Sequence, residues 1–124
     1  MLQFFKNGGF GMFPILALGL ALLVTGAAFA RSGRKETEAF LERVMKATLW
    51  ASVVAFALDL MTVGFYVARQ ESVDSGVVRI IAEGIAESLS PVVFGGGFLM
   101  VGWIFVALGR RKVDQRLDLI PRDT

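Results

Sequence analysis

Asp59 is the side chain of this sequence with the clearest capacity for proton chemistry, because it is the single charge within a long apolar stretch, residues 47–68. At about 100° per residue on a helix, four hydroxyl-bearing residues fall in the same narrow sector as Asp59: Thr48, Ser52, Thr62 and Tyr66. A carboxyl group among hydroxyls can accept and release protons, or it can stay neutral and hold a neighbouring helix through a hydrogen bond. Both interpretations of Asp59 follow from these residues.

A second acidic pair, Glu83 and Glu87, stands at the start of the next apolar stretch. The two residues are four positions apart, so on a helix they can face the same neighbour. Glu83 is expected at the surface in contact with water. Glu87 lies within the apolar run, shortly before Ser90 and Pro91. Two interpretations of Glu87 stay open, an acid at the mouth of a proton pathway or a carboxylate that stabilises a helix N-terminus.

The sequence contains no cysteine and no histidine. This excludes disulfides, thiol nucleophiles, imidazole bases and the usual zinc and haem ligands. No nucleophile motif or phosphate-binding loop is present either, since the glycine run Gly95-Gly96-Gly97 lies inside an apolar stretch where no phosphate could be solvated. We therefore expect that the protein is not an enzyme and that it has no metal site and no cofactor.

Three long apolar stretches are the elements that must position these residues. Hydrophobic residues make up 55% of the 124 residues and charged residues 19%, an apolar share above that of ordinary soluble domains. Residues 10–30, 47–68 and 85–108 are each long enough to cross a bilayer as a helix. The sequence therefore predicts an all-α integral membrane protein, a single domain over residues 1–124 in which three transmembrane helices form a bundle.

The basic residues are distributed unevenly between the two ends of these helices. Ten of the 13 Lys and Arg residues lie in the loop 31–46 or in the tail 109–124. The positive-inside rule places that loop and the tail in the cytoplasm, and the N-terminus and the loop 69–84 outside. Because the basic residues flank apolar segments, no nucleic-acid partner is expected. The cluster Arg110-Arg111-Lys112 is interpreted as a topology anchor or as a site for anionic lipid headgroups.

Helical periodicity continues beyond the apolar stretches on the predicted cytoplasmic side. Residues 35–46 carry apolar residues at helical spacing, which predicts that the second helix projects into the cytoplasm by about three turns. The tail repeats the spacing with Val113, Leu117 and Ile120 until Pro121 interrupts it. Both flanking segments are therefore predicted to be helical.

Small residues concentrate in the third apolar stretch: Gly95, Gly96, Gly97 and Gly102. In lipid, small residues let two helix backbones approach closely enough to gain from packing. We expect these four glycines at a helix or subunit interface, and we therefore predict that the protein forms a homo-oligomer.

Three features of the chain together resemble the MotA/TolQ/ExbB proton-channel family, in particular its TolQ/ExbB branch. Residues 8–16, Gly-Gly-Phe-Gly-Met-Phe-Pro-Ile-Leu, are similar to the glycine-then-proline start of the family's first span. Residues 84–89, Gly-Ile-Ala-Glu-Ser-Leu, are similar to its Gly-Ile-Ala-Glu-Ala-Leu segment. The order and direction of the spans also match those of the family.

The second and third spans depart from the family pattern. The family's Leu-Gly-Thr-x-x-Gly segment aligns its threonine with Asp59 without a gap, or with Thr62 if a short deletion is allowed, and both stay candidates. The threonine of the third span falls near Val92, and Ser90 is the nearest hydroxyl. The long cytoplasmic insertion between the first two spans is reduced to about sixteen residues, 31–46.

The resemblance implies a membrane subunit of a proton-motive-force-coupled complex in the bacterial inner membrane. It implies a homo-pentamer around a pore and a single-span partner of the ExbD/TolR type. The residues expected to line the proton pathway are those of the second and third spans: Asp59, Thr62, Glu87, Ser52, Tyr66 and Ser90. The alternative is a non-conducting structural membrane protein that assembles through its glycine-rich helix faces, which the missing third-span threonine favours.

Overall fold

A computed structural model describes residues 11–120 of the chain as four helices: α1 (Met12–Ser32), α2 (Lys35–Ala68), α3 (Ser75–Ser88) and α4 (Ser90–Asp118). These residues are 89% helical and contain no strand. Three segments are long and apolar enough to cross a membrane: Met12–Ser32, Lys35–Ala68 and Ser75–Asp118. The prediction of an all-α protein with three membrane-spanning helical segments is confirmed.

Some of the residues discussed above fall outside the described part of the chain. Gly8, Gly9 and Phe10 carry part of the family resemblance, and Pro121 ends the predicted helical tail.

α1 and α4 run parallel and interlock through a seven-residue repeat of large and small residues. Three large residues of α1 lie against three glycines of α4: Ile15 on Gly95, Leu22 on Gly102 and Phe29 on Gly109. Two phenylalanines of α4 lie against glycines of α1 in return: Phe98 on Gly19 and Phe105 on Gly26. A heptad spacing keeps one seam of a helix facing its partner, and the glycines let the two backbones approach closely.

α2 completes the bundle by packing against both α1 and α4 in the opposite direction. Its residues Leu41, Val44 and Met45 are buried and join Leu22 and Phe29 in one core cluster. The core therefore lies near the α1–α2 turn, between all three long helices.

The connection between α1 and α2 is a tight turn at Gly33. Gly33 has a φ of 62°, in the left-handed region that glycine adopts without steric cost, and its N–H donates to the Phe29 carbonyl at 2.8 Å. Lys112 and Arg116 of α4 each donate to a carbonyl of the last two residues of α1, both at 3.2 Å. Cations at a helix C-terminus are favoured by the helix dipole, so these contacts tie the end of α4 to the end of α1.

The helical extensions predicted beyond the apolar stretches are confirmed within the described residues, because α2 begins at Lys35 and α4 continues to Asp118. Arg110 links the two extensions through ion pairs with Glu38 at 2.7 Å and Glu42 at 3.5 Å. These pairs are partly exposed to water, where such pairs add little stability. They do fix the register between the two extensions.

Residues 75–84 are helical, whereas hydropathy assigned them to the loop 69–84. Asp74 caps the new helix, because its Oδ1 accepts a hydrogen bond from the Val77 N–H at 2.9 Å. Hydropathy finds the length of chain that fits the bilayer and does not detect a charged amphipathic helix next to it. The connection between α2 and α3 is therefore short, residues 69–74.

The helices pack in two tiers along α2. Gly11, just before α1, lies against Ala55 in the middle of α2. We call α1, α4 and residues 35–55 of α2 the three-helix tier, and residues 56–68 of α2 with α3 the two-helix tier. Between α3 and α4 the helix breaks at Leu89, where Pro91 lacks the N–H that would continue the helical hydrogen bonds.

Candidate functional site

An acidic groove lies between α2 and α3 in the two-helix tier. It has a volume of about 260 Å³. Seven residues line it, three from α2 and four from α3: Thr62, Val63, Tyr66, Ile80, Glu83, Gly84 and Glu87. The fold therefore brings both glutamates of α3 to the same surface as two hydroxyl groups of the α2 polar sector.

Asp59 lies one helical turn before Thr62 and is half-buried. Its carboxyl group lies near Glu87, which lines the groove from α3. No Lys or Arg among residues 11–120 forms an ion pair with either carboxylate.

Close packing of α3 on α2 creates this groove. Gly84 lies so near Val63 that an added Cβ would stand 2.6 Å from a Val63 methyl carbon, and Val77 is buried at the start of α3. The Ser88 hydroxyl is buried and donates to the Gly84 carbonyl at 2.7 Å. Glycine at residue 84 thus sets how closely Glu87 approaches α2.

Glu83 and Glu87 differ in their surroundings although they share one helix face. Glu83 Oε1 pairs with Arg79 Nε at 3.0 Å, and both side chains are largely exposed to water. Glu87 lies in the last turn of α3, next to the helix break. Because Pro91 has no N–H, the Glu87 carbonyl lacks the helical donor four residues ahead. The expectation that Glu83 is a surface residue agrees with this geometry.

The polar sector of α2 is divided between the two tiers. Thr48 and Ser52 are buried in the three-helix tier, and each hydroxyl donates to the carbonyl four residues before it at 2.8 Å. Ser52 also packs directly on Gly95. These two residues do not line the acidic groove. Ser90, the remaining predicted pathway residue, is half-buried at the first position of α4.

Thr62 and Tyr66 remain accessible in the two-helix tier. The Thr62 hydroxyl donates to the Leu58 carbonyl at 3.0 Å, which leaves its oxygen free to accept a hydrogen bond. Tyr66 is exposed at the rim of the groove. Of the six predicted pathway residues, the structure therefore gathers Asp59, Thr62, Tyr66 and Glu87 in one region.

The four glycines predicted to pack against a helix have two different environments. Gly95 and Gly102 are buried and contact the side chains of α1 and α2. Gly96 and Gly97 have open space where a Cβ would lie. The first pair thus serves packing within the chain, and the second pair leaves a smooth surface on α4.

Sequence reasoning did not identify Val63, Ile80 and Gly84 as parts of the groove. Their contribution depends on α3 folding back onto α2, and the stretch that contains much of α3 was assigned to a loop. The amphipathic pattern of residues 75–88 behind the cap at Asp74 is the signal that could have revealed it. Among residues 11–120 no three potential metal ligands of the Asp, Glu, His or Cys type cluster together.

Comparison with protein-family models, with curated proteins and with solved structures finds no match for this chain.

Proposed function

We propose that this chain is a TolQ/ExbB-like membrane subunit of a proton-motive-force-coupled complex, and that its acidic groove is the outer part of a proton pathway. The observation that supports the proposal is that Glu87 and Thr62 line one groove from two neighbouring helices, with Asp59 one helical turn before Thr62 on α2. Acidic residues inside membrane segments are costly and usually serve function. A pair of them on facing helices suits the transfer of a proton.

In this pathway Glu83 and Tyr66 form the mouth, and Glu87 and Asp59 hold the proton in turn. Thr62 lies between the mouth and Asp59 and offers an oxygen that can accept a hydrogen bond from water or from a protonated carboxyl group. Glu87 and Asp59 form an acidic pair on neighbouring helices, and each carboxyl group can hold one proton. Such a pair can pass a proton when its surroundings change.

The pathway needs a second surface to continue past Asp59. On the α1 side of Asp59, Ser52 and Thr48 are buried and their hydroxyl protons are held by their own helix. The open face of α4 at Gly96 and Gly97 offers room for another helix. A homo-oligomer of this chain, or a single-span partner helix in the bacterial inner membrane, would supply the missing surface in this proposal.

A non-conducting structural role is the second candidate. It is favoured by the heptad seam, in which the glycines of α1 and α4 are used for packing, and by the engagement of Thr48, Ser52 and Thr62 with carbonyls of their own helix. In this role Asp59 would be a neutral group that holds helices together.

Proton flux in reconstituted vesicles separates the two functions. With a pH-sensitive dye inside the vesicles and an imposed membrane potential, wild-type protein should conduct protons, and Asp59→Asn and Glu87→Gln should abolish the flux while assembling normally. Asparagine and glutamine keep the shape but cannot titrate. The matched controls are Asp114→Asn and Glu36→Gln, which are exposed residues distant from the groove.

Two results would favour the structural role. One is wild-type vesicles that leak protons no faster than empty vesicles. The other is full flux in the Asp59→Asn and Glu87→Gln variants.

A further inference from the structure

A second groove lies between α2 and α4 in the three-helix tier, away from the acidic groove. Its volume is about 380 Å³, within the range of about 300–1,000 Å³ that is typical of ligand sites. Five apolar residues form its wall: Met45, Leu49, Leu99, Trp103 and Val106. Glu42 and Lys46 complete the lining. The apolar wall would suit a hydrocarbon chain. Both charged residues of the lining belong to α2.

The groove opens where the apolar part of α2 ends. Lys46 is the last charged residue before the apolar stretch 47–68, and Leu49 lies about one turn deeper. Trp103 lies on α4 near the end of the stretch 85–108 and is 64% exposed. Trp and Lys are the residues that proteins place at the boundary between hydrocarbon and headgroups. The groove thus runs from headgroup level into the hydrocarbon of the predicted cytoplasmic leaflet.

The charge at the mouth of the groove is positive. The Glu42 carboxylate is shared with Arg110, whose Nη2 lies at 3.5 Å. Lys46, and Arg43 one turn before it, are exposed and form no ion pair within the described chain. Arg110 also pairs with Glu38 at 2.7 Å, so its single positive charge is shared by two carboxylates. Three cations (Arg43, Lys46 and Arg110) against two carboxylates (Glu38 and Glu42) leave one net positive charge to attract an anion.

We infer that this groove binds an anionic phospholipid, with one acyl chain along the wall between Leu49 and Trp103 and the phosphate group beside Lys46. Anionic lipids supply both parts in one molecule, a hydrocarbon chain for the wall and a negative charge for the mouth. A zwitterionic lipid carries no net charge to match the net positive charge at the mouth. This inference does not depend on the proposed proton pathway.

Trp103 provides a direct probe of the site. The chain has two tryptophans, so Trp50→Phe leaves Trp103 as the sole emitter. The variant is reconstituted in phosphatidylcholine vesicles that contain a small, equal fraction of brominated phosphatidylglycerol or brominated phosphatidylcholine. Bromine quenches tryptophan on contact, so quenching reports which lipid occupies the groove.

Brominated phosphatidylglycerol should bind with about five-fold preference over brominated phosphatidylcholine, the ratio that corresponds to about 1 kcal/mol for one basic residue near an anionic lipid. Adding Lys46→Gln should reduce this preference to near one. Adding Lys35→Gln, which removes a cation at the far end of the α2 extension, should leave it unchanged.

Three outcomes would overturn the inference. The first is equal quenching by the two brominated lipids in the Trp50→Phe protein. The second is a preference that survives Lys46→Gln. The third is no quenching by either lipid, which would mean that a second copy or a partner helix covers the groove.

Discussion

The polar sector of α2 is buried in the three-helix tier and accessible in the two-helix tier. In the three-helix tier, Thr48 and Ser52 are enclosed by three helices and their hydroxyl groups are satisfied by the α2 backbone. In the two-helix tier, Thr62 and Tyr66 are open and meet the glutamates of α3. Within residues 11–120, the difference comes from the number of helices that cover α2, because Gly11, the first described residue, lies at the level of Ala55. Whether a side chain of the polar sector is buried or accessible thus depends on how many helices pack around it.

The glycines of the two tiers also differ in the packing that they allow. In the three-helix tier, large side chains such as Phe29 and Leu22 pack directly on the glycines and are fully buried. In the two-helix tier Gly84 brings α3 against Val63 without closing the space around Glu87. Close packing therefore stabilises the first tier and shapes a site in the second.

Gly95→Leu should have the largest effect, because it breaks the three-helix tier. Even a Cβ at residue 95 would collide with the Ser52 hydroxyl, so the larger side chain should cost about 3 kcal/mol of folding free energy, the upper end of the usual range for overpacking. We expect loss of cooperative unfolding or of monodisperse protein in mild detergent. Gly64→Leu is the control, since nothing lies within 4 Å of an added Cβ there. A stable Gly95→Leu protein would show that the seam between α1 and α4 is not the basis of the fold.

Gly84→Leu should disrupt the two-helix tier and leave the three-helix tier folded. The new side chain would push α3 away from Val63, at a cost of about 1–3 kcal/mol. Hydrogen exchange should become faster in residues 75–88 and stay slow in residues 91–109. Proton flux should fall because Glu87 moves away from Asp59. Equal destabilisation of both tiers would contradict the division between them.

Asp74→Ala should loosen α3 by a smaller amount. It removes the side chain that caps the Val77 N–H, a loss of about 0.5–2 kcal/mol. The effect is local, so hydrogen exchange should quicken in the first turns of α3 with no change in α1. Asp74→Ser, which can still cap the helix, should restore most of the protection. Identical exchange in the alanine variant and the wild type would mean that the cap is unimportant.

Arg79→Gln should have the smallest effect. It removes the pair with Glu83 at 3.0 Å, but this is an exposed pair of residues one turn apart, for which a contribution below about 0.5 kcal/mol is typical. Unfolding in detergent should be nearly unchanged. A large loss of stability or of flux would mean that the mouth of the groove is less solvated than its exposure indicates.

Much of the fold follows from the sequence. Apolar length predicted three membrane-spanning helical segments, and helical spacing predicted that α2 begins near Lys35. The sequence also contains the glycine repeat of the α1–α4 interface. Gly95, Gly102 and Gly109 recur every seven residues, as do Gly19 and Gly26. That repeat indicates which face of each helix meets a partner, but it does not identify the partner.

The candidate site was only partly accessible to sequence reasoning. The angle between residues on a helix groups Asp59 with Thr62 and Tyr66, and the structure places Thr62 and Tyr66 in the lining of one groove. The angle could not separate them from Ser52, because burial depends on where α1 starts relative to α2. The approach of Glu87 to Asp59 depends on the cap at Asp74, the close contact at Gly84 and the break at Pro91. No periodic pattern in the sequence predicts how these features bring two helices together.

The accessibility of the two tiers to water is the most direct test, and the absence of cysteine from the chain makes it simple. Single cysteines are placed in turn at Thr62 and at Ser52, and intact cells are treated with a membrane-impermeant maleimide. Labelling after denaturation gives the total thiol. The account predicts that Thr62→Cys reacts in intact cells and that Ser52→Cys reacts only after denaturation. An unreactive Thr62→Cys, or a Ser52→Cys that reacts as readily, would contradict an open acidic groove above a closed three-helix tier.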